Sequence, residues 1–224
     1  MGKLWCGERE TTAEAIRERA QRAASGLEHL GVREGDAVAF CLRNEFAFFE
    51  VVQAAGILGA FPVAVNWHCT LDEAEYVLRD CGARVLVIHA DLLANLRAAI
   101  PEGVKRGAAT EEQAQASTAM LLRSYGYADW MDRPHEIVTS VVGPIYHSAP
   151  NAHANVSVNI GANVAVMPRF DPEALLALIH EKRVTHLNMA PIMFNRLVKL
   201  PQAVRDRYDL SSLRFVAHAA APVS

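Results

Sequence analysis

The chain has 224 residues, of which 51% are hydrophobic and 21% are charged, so it can bury a sizeable core and is not intrinsically disordered. Its net charge of -3 comes from interspersed acidic and basic residues, which gives no electrostatic basis for nucleic-acid binding. The sequence has no apolar run that could span a bilayer and no signal-peptide pattern at its N-terminus, so we expect a cytoplasmic protein.

Helical and extended patterns alternate along the chain. Capping motifs at residues 11–14 and 70–73 predict helices that end near Gly31 and Gly82, and Asp171-Pro172 starts a later helix. Short apolar runs predict strands at residues 36–42, 61–65, 84–89, 137–142, 163–167, 185–189 and 214–219. Apolar strands that alternate with helices favour an α/β fold with mostly parallel sheets flanked by helices.

The stretch GPIYHSAPN, residues 143–151, follows one of these apolar strands. Ligands of parallel α/β sheets bind beyond the carboxyl ends of strands, so His147 is a candidate base, metal ligand or pocket wall. His153 lies six residues later, off the same helical face, and no cysteine or carboxylate is near in sequence, which argues against a zinc site. From the local sequence alone, a hydrogen-bonded structural histidine is the favoured alternative.

The C-terminal stretch, residues 216–222, passes from an apolar strand into alanines and a proline. Small side chains there would let a flat ring approach the backbone closely, although an ordinary strand exit explains the local pattern as well. The sequence contains no GxGxxG, GxxxxGK[ST] or GxSxG motif, which argues against dinucleotide-binding, Walker-type and nucleophile-elbow sites.

Taken in order, these segments resemble the adenylate-forming acyl-CoA synthetases, the AMP-binding ligase family. Residues 59–66 look like the family's G-A-x-P-V-x-x-N ending of its N-terminal helix and strand. The matching segments extend over nearly the whole chain and lie at residues 44–66, 70–81, 143–151, 167–172, 184–186, 189–194 and 218–222. Their order, rather than any single motif, makes the resemblance specific.

The resemblance implies an ATP-dependent ligase whose substrate is a fatty or other hydrophobic carboxylic acid. In the intact family, the carboxylate attacks the α-phosphate of MgATP to form acyl-AMP, and CoA then displaces AMP to give the thioester. ATP, Mg and CoA are therefore the cofactors that the family implies. The apolar side chains within residues 189–194 fit a hydrophobic acid.

The same resemblance implies site residues. His147 would gate the acyl tunnel beside the carboxylate, and the alanines after the last strand would contact adenine. The implied substrate-binding residues are Tyr146, His147, Asn151, Met193 and Phe194. The implied nucleotide-binding residues are His218, Ala219, Ala220, Ala221 and Pro222. The resemblance assigns neither a catalytic residue nor a metal ligand to this chain.

The sequence departs from the family at the phosphate loop. The family's loop reads roughly [ST]-S-G-[ST]-T-G-x-P-K-G, whereas residues 96–106 read LRAAIPEGVKR, with Glu102 where the lysine should be. A phosphate cradle needs free backbone N–H groups, hydroxyls and positive charge, which Ala98 and Ala99 cannot supply. We interpret the difference as an internal deletion whose ends meet near residues 101–106.

This interpretation divides the chain into an N-terminal α/β portion, residues 1–100, and a second α/β portion, residues 107–224. The sequence also contains no Tyr-Gly-x-Thr-Glu motif and no catalytic-lysine domain. It predicts an incomplete N-terminal domain of an adenylate-forming enzyme that is not catalytically competent alone. The alternatives are a non-catalytic acyl- or nucleotide-binding protein, or a module whose uncovered apolar faces self-associate or bind a complementary chain.

Overall fold

Alternating strands and helices build two separate sheets. The computed structural model describes residues 2–101 and 122–218. The chain divides into two units: the first comprises Met1–Ala13 with Glu111–Ser224, and the second comprises Glu14–Thr110. No helix in the described ranges combines the length and the apolarity that crossing a bilayer requires.

The strands and helices follow one another in the predicted alternation. The strands are β1 (Lys3–Cys6), β2 (Arg9–Thr12), β3 (Ala37–Cys41), β4 (Phe61–Ala64), β5 (Ala83–Ile88), β6 (Val138–Val141), β7 (Asn163–Val166), β8 (His186–Met189) and β9 (Phe215–His218). The helices are α1 (Ala13–His29), α2 (Phe46–Ile57), α3 (Leu71–Asp80), α4 (Ala90–Leu96), α5 (Ser148–Asn159), α6 (Pro172–Lys182), α7 (Pro191–Val198) and α8 (Gln202–Arg205).

The first unit contains a six-stranded sheet in the order β2-β1-β7-β6-β8-β9. Every neighbouring pair is parallel except β1 and β2, which form an antiparallel hairpin. The second unit contains a parallel three-stranded sheet in the order β4-β3-β5. Both sheets confirm the prediction of an α/β fold with mostly parallel strands.

The N-terminal hairpin has no counterpart among the predicted strands. Residues 2–13 carry too few apolar side chains for a strand pattern, yet Leu4 and Cys6 are buried, and β1 pairs along β7. Gly7, with φ of +59°, makes the turn between the two strands. A Cβ on Gly2 would lie 2.4 Å from the carbonyl oxygen of Ala162, so only glycine fits where the chain enters this sheet.

The structure confirms the predicted helix caps at residues 70–73 and at Asp171, whereas the cap predicted at residues 11–14, where α1 begins at Ala13, stays a prediction. Thr70 and Glu73 form a reciprocal capping box at α3: the Glu73 amide donates to Thr70 Oγ1 at 3.3 Å, and the Thr70 amide donates to the Glu73 carboxylate at 2.8 Å. The Asp171 carboxylate accepts from the Ala174 amide at 2.8 Å and caps α6. These contacts satisfy N–H groups that the first turn of a helix leaves free.

The stretch just before the interpreted deletion is part of a hydrophobic core. Leu92, Leu96 and Ala99 are buried in one cluster of the second unit, together with Val65 and Leu78. Residues 97–99 form a single 3₁₀ turn rather than an open loop. Apart from Pro101, the interpreted junction at residues 101–106 lies outside the described residues, so it stays a prediction.

One buried hydroxyl in the central strand β6 yields a stability prediction. Ser140 is fully buried, and its Oγ has no hydrogen-bond partner among the described residues. An unpaired buried hydroxyl costs about 1–3 kcal/mol, so we expect Ser140→Ala to raise the free energy of unfolding by about 1 kcal/mol in urea denaturation. The matched variant Ser157→Ala should lower the free energy of unfolding, because it removes the hydrogen bond that Ser157 Oγ donates to the His153 carbonyl at 2.6 Å. A destabilised Ser140→Ala protein would contradict this reading.

Candidate functional site

A cleft opens where strands β6 and β8 end. The two strands are parallel neighbours, so their carboxyl ends meet at one edge of the sheet. Gly143 lies two residues beyond β6, and Met189 is the last residue of β8. Helices α5 and α7 begin shortly after these strands, and their first turns flank the opening.

The cleft has a volume of about 400 Å³ and a mostly apolar lining. Its lining residues are Gly143, Pro144, His147, Ser148, Ala149, Pro150, Asn188, Met189, Ala190, Ile192 and Met193. Met189 and Met193 are buried, whereas His147 and Ile192 are exposed. The cleft therefore has a buried apolar inner end, and its exposed rim carries both polar and apolar side chains, an arrangement that can hold an amphipathic small molecule.

Two of the five predicted substrate-binding residues, His147 and Met193, line this cleft. The other three do not belong to its lining. Tyr146 packs its ring against that of His147, with 4.5 Å between centroids. Asn151 accepts a hydrogen bond from Asn155 Nδ2 at 2.7 Å, and Phe194 packs beside the core of α6 and β8. The binding role of all five residues stays a prediction.

The stretch GPIYHSAPN is half loop and half helix. His147 is the N-cap of α5, with extended φ and ψ of -78° and 145°, and the helix begins at Ser148. The Asn151 amide donates to the His147 carbonyl at 2.9 Å, so the backbone of His147 is fixed while its ring is exposed. The His147 ring is thus exposed to solvent, and the structural role that the local sequence favours for it stays a prediction.

The predicted nucleotide-binding segment is only partly described. His218 is the last residue of β9, and its side chain is exposed. Ala219, Ala220, Ala221 and Pro222 lie outside the described residues. Within residues 2–101 and 122–218, no group of three or more His, Cys, Asp or Glu side chains is arranged so that it could hold a metal ion.

The sequence did not predict a buried polar network that joins strand β6, helix α5 and the segment before β6. Tyr127 Oη lies 2.9 Å from His153 Nε2 and 2.8 Å from Ser157 Oγ. Thr139 Oγ1 lies 3.1 Å from His153 Nε2 and donates to the His186 carbonyl at 2.7 Å. Only the i, i+4 spacing of His153 and Ser157 on α5 could have signalled it, because the other partners come from distant segments.

The hydrogen-bond directions in this network follow from counting protons. Ser157 and Thr139 give their hydroxyl protons to backbone carbonyls, so Tyr127 must donate to Ser157. The hydrogen on His153 Nε2 then points at the oxygens of Tyr127 and Thr139. Burial, with a smaller contribution from His186, lowers the pKa of His153 to about 3, so its ring is neutral. Burial likewise raises the pKa of Tyr127 to about 12.

The second unit gathers charged side chains at the carboxyl ends of β3 and β5. The Arg43 guanidinium binds both Asp91 carboxylate oxygens, at 2.7 and 3.1 Å, and lies over the Trp67 ring. His89 Nδ1 accepts from the Arg43 amide at 3.2 Å, so its Nε2–H donates to Glu45. Both ring nitrogens of His89 thus make hydrogen bonds within the protein. We therefore interpret the cluster as a structural link between the ends of β3 and β5 and not as a general base.

Comparison with known proteins identifies relatives over the whole described chain. A family model described as AMP-binding enzyme matches residues 4–125 and 102–224. The feruloyl-CoA synthase of an Amycolatopsis species is 29% identical over 247 residues, which cover 95% of this chain and 50% of that protein. The 4-coumarate–CoA ligase 3 of Arabidopsis thaliana is 26% identical over 254 residues, which cover 91% and 45%. The chain spans about half the length of these curated relatives.

The fold agrees with the sequence match. A solved structure of a Mycobacterium tuberculosis fatty acyl CoA synthetase superposes with a TM-score of 0.78 at 20% identity, covering 98% of this chain and 51% of that one. Identity this low establishes the α/β fold alone, whereas the family model accounts for nearly every residue of the sequence. The resemblance seen in the order of the sequence segments is confirmed, and the chain belongs to the AMP-binding enzyme family.

Proposed function

We propose that this chain is an N-terminal portion of an acyl-CoA ligase, and that it supplies the cleft that binds the carboxylic acid. In the complete reaction, the acid and ATP form acyl-AMP with release of pyrophosphate, and CoA then displaces AMP. The observation that carries this proposal is the cleft between β6 and β8, with exposed His147 at its rim and buried Met189 and Met193 inside.

The lining favours a hydrophobic carboxylic acid. Burying the apolar body of such an acid against methionine, proline and alanine side chains stabilises the complex by about 25 cal/mol per Å². The names of the relatives support this class, because a feruloyl-CoA synthase and a 4-coumarate–CoA ligase are named for hydrophobic acids. His147, placed at the rim, is the residue that we assign to the carboxylate end.

We further propose that the chain alone does not carry out adenylation. The sequence has no phosphate-loop motif, and Leu96 and Ala99, where the loop would begin, are buried in an apolar cluster. The match to the feruloyl-CoA synthase spans 247 residues, more than this chain possesses, which supports an internal gap. Removing one electrostatic contact of a transition state can cost about 3–4 kcal/mol, so losing the whole cradle leaves no useful rate.

A second candidate function is a module that binds a complementary chain carrying the missing motifs. Among the described strands, β9 has a neighbour only on its β8 side, and its Phe215 and Val216 are 37% and 38% exposed. An edge strand with exposed apolar side chains is a template for pairing with another chain. ATP, Mg and CoA would then be bound by the assembled pair rather than by this chain.

Calorimetric titration of the purified chain tests the proposal. We expect a non-hydrolysable acyl-adenylate mimic to bind with saturation, and MgATP to show no binding. Ile192→Glu, which places a charge at the rim, should weaken binding of the mimic by about tenfold, the effect of about 1.4 kcal/mol. Val198→Glu is the matched control, because Val198 is exposed on the same helix but does not line the cleft.

The outcomes separate the two parts of the proposal. If the mimic does not bind, or if Val198→Glu weakens it as much as Ile192→Glu does, the acid-binding cleft is assigned wrongly. Tight MgATP binding, or acyl-CoA formation by the chain alone, would instead show that another segment holds the phosphates. Formation of acyl-CoA only after a complementary chain is added would favour the second candidate.

A further inference from the structure

We propose that the second unit binds a small organic amine in its protonated form, in a cleft between helix α3 and the turn that follows β4. This cleft belongs to the unit formed by residues 14–110, whereas the proposed acid-binding cleft belongs to the other unit. The two proposals can therefore be tested independently of each other.

The cleft has two walls. One wall is the turn after β4, in which the Cys69 amide donates to the Asn66 carbonyl at 3.0 Å. The other wall is the first half of α3, whose N-terminus is held by the capping box. The volume between them is about 480 Å³, within the range of roughly 300–1,000 Å³ that small-molecule sites span. The cleft is therefore large enough for a small organic ligand.

Apolar side chains form the inner part of the cleft. Val65 is 2% exposed, and Cys69 and Val77 pack, partly buried, against the hydrophobic core of the unit. Burial, with a smaller contribution from the charge of Glu73, raises the pKa of the Cys69 thiol, so this side chain is neutral. The inner part can thus hold the apolar body of a ligand, while the Glu73 carboxylate makes the surroundings of Cys69 negative.

The charged side chains of the lining are all negative. Asp72 and Glu73 lie in the first turn of α3, and no Lys, Arg or His side chain lines the cleft within the part of the chain that the structure describes. Glu73 has a structural role, because its carboxylate accepts from the Thr70 amide at 2.8 Å. The Asp72 carboxylate takes no part in this capping box and makes no hydrogen bond or ion pair with any described residue. The lining therefore attracts cations and repels anions.

Tyr76 adds an aromatic ring beside the Asp72 carboxylate. Residues four apart lie on the same side of a helix, and Tyr76 is 68% exposed, so its ring is accessible next to Asp72. Aromatic rings attract a cation that lies within about 6 Å of the ring centroid. A protonated amine offers N–H donors to the carboxylate, a positive charge to the ring and an apolar body to the inner part. A neutral or anionic ligand of the same shape matches only the last of these.

A titration of the full chain, followed in two-dimensional amide NMR spectra, tests the proposal. The probes are hexylammonium, n-hexanol and hexanoate, which carry similar apolar chains and differ in the charge of the head group. Hexylammonium should shift the amide signals of residues 65–77 with saturation, and its dissociation constant should be about tenfold lower than that of n-hexanol. Hexanoate should leave these signals unchanged. Raising the ionic strength to about 1 M should weaken hexylammonium binding, because salt screens the carboxylates.

Matched variants locate the site. Asp72→Asn should weaken hexylammonium binding about threefold, the effect of one exposed ion pair. Tyr76→Ala should also weaken it about threefold, the effect of one exposed cation–π contact. Asp80→Asn is the control, because it removes the same charge from an exposed position of the same helix that does not line the cleft. This control should bind hexylammonium as the natural chain does.

Three results would overturn the proposal. The first is the absence of saturating shifts at residues 65–77 with hexylammonium. The second is equal affinity for hexylammonium and n-hexanol, which would mean that the cleft does not select a cation. The third is an equal loss of affinity in Asp72→Asn and Asp80→Asn, which would reflect the net charge of the chain and not a site. In each case, calorimetric titration with the acyl-adenylate mimic still decides the proposed function.

Discussion

Tyr127→Ala should lower the free energy of unfolding by about 3–5 kcal/mol, the cost of removing a large buried aromatic side chain. Tyr127 is fully buried and packs in one cluster with Tyr125, Ile137 and Ala162. The variant also removes the hydroxyl that binds both His153 and Ser157. Urea denaturation followed by circular dichroism measures the loss, and a variant that fails to fold at 25 °C would agree with it.

Two further variants divide this effect into its parts. Tyr127→Phe keeps the ring and should cost about 1–3 kcal/mol, since it leaves buried polar partners unpaired. Tyr76→Ala is the exposed control: its ring is 68% exposed, so the change should stay within about 0.5 kcal/mol. If Tyr127→Phe were as stable as the natural chain, the polar network would contribute nothing beyond packing.

The stability of the chain should fall as the pH falls from about 6.5 toward 3, and His153 should account for much of the loss. The pKa of His153 is lowered from 6.5 to about 3 by burial, with His186 contributing. In this pH range the unfolded chain therefore binds a proton at His153, whereas the buried His153 ring of the folded chain stays neutral. Over the full window the cost is on the order of 4 kcal/mol, of which about 2 kcal/mol falls between pH 7 and pH 5.

Measuring unfolding at several pH values in the natural chain and in His153→Gln isolates this contribution. Glutamine does not titrate, so the variant, although less stable at pH 7, should lose about 2 kcal/mol less on going to pH 5. Carboxylates such as Asp91 and Asp209, whose pKa values are lowered by hydrogen bonds, contribute equally to both proteins. Equal pH dependence in the natural chain and in His153→Gln would exclude the assignment.

The parts of the fold that local rules govern were predictable. The caps at Thr70 and Asp171 are short-range contacts between residues three apart, so the sequence carries them directly. Strands such as β3, in which all five residues are buried, appear as continuous apolar runs because both of their faces are covered. The resemblance to the family came from the order of matching sequence segments, such as residues 59–66 and 143–151.

The hairpin and the site details depend on distant partners. β1 is stabilised by pairing with β7, some 160 residues away, and the short charged segment shows no sign of this. The resemblance grouped Phe194 with Met193, but neighbouring residues point to different sides once α7 forms. It also grouped Tyr146 with His147, two residues that precede α5 and whose rings contact each other, although only His147 lines the cleft. Likewise, the contact between Tyr127 and His153, which are 26 residues apart in the sequence, forms only in the folded chain.

The discontinuous make-up of the first unit has a consequence for synthesis on the ribosome. Residues 14–110 form one contiguous unit, so they can fold as soon as they have emerged. Leu4, Trp5 and Cys6 must instead wait for their partners Val164, Ala165 and Val166. At about 5–20 residues per second, this first strand stays unpaired on that side for roughly ten seconds or more, a window in which a nascent-chain chaperone could bind it.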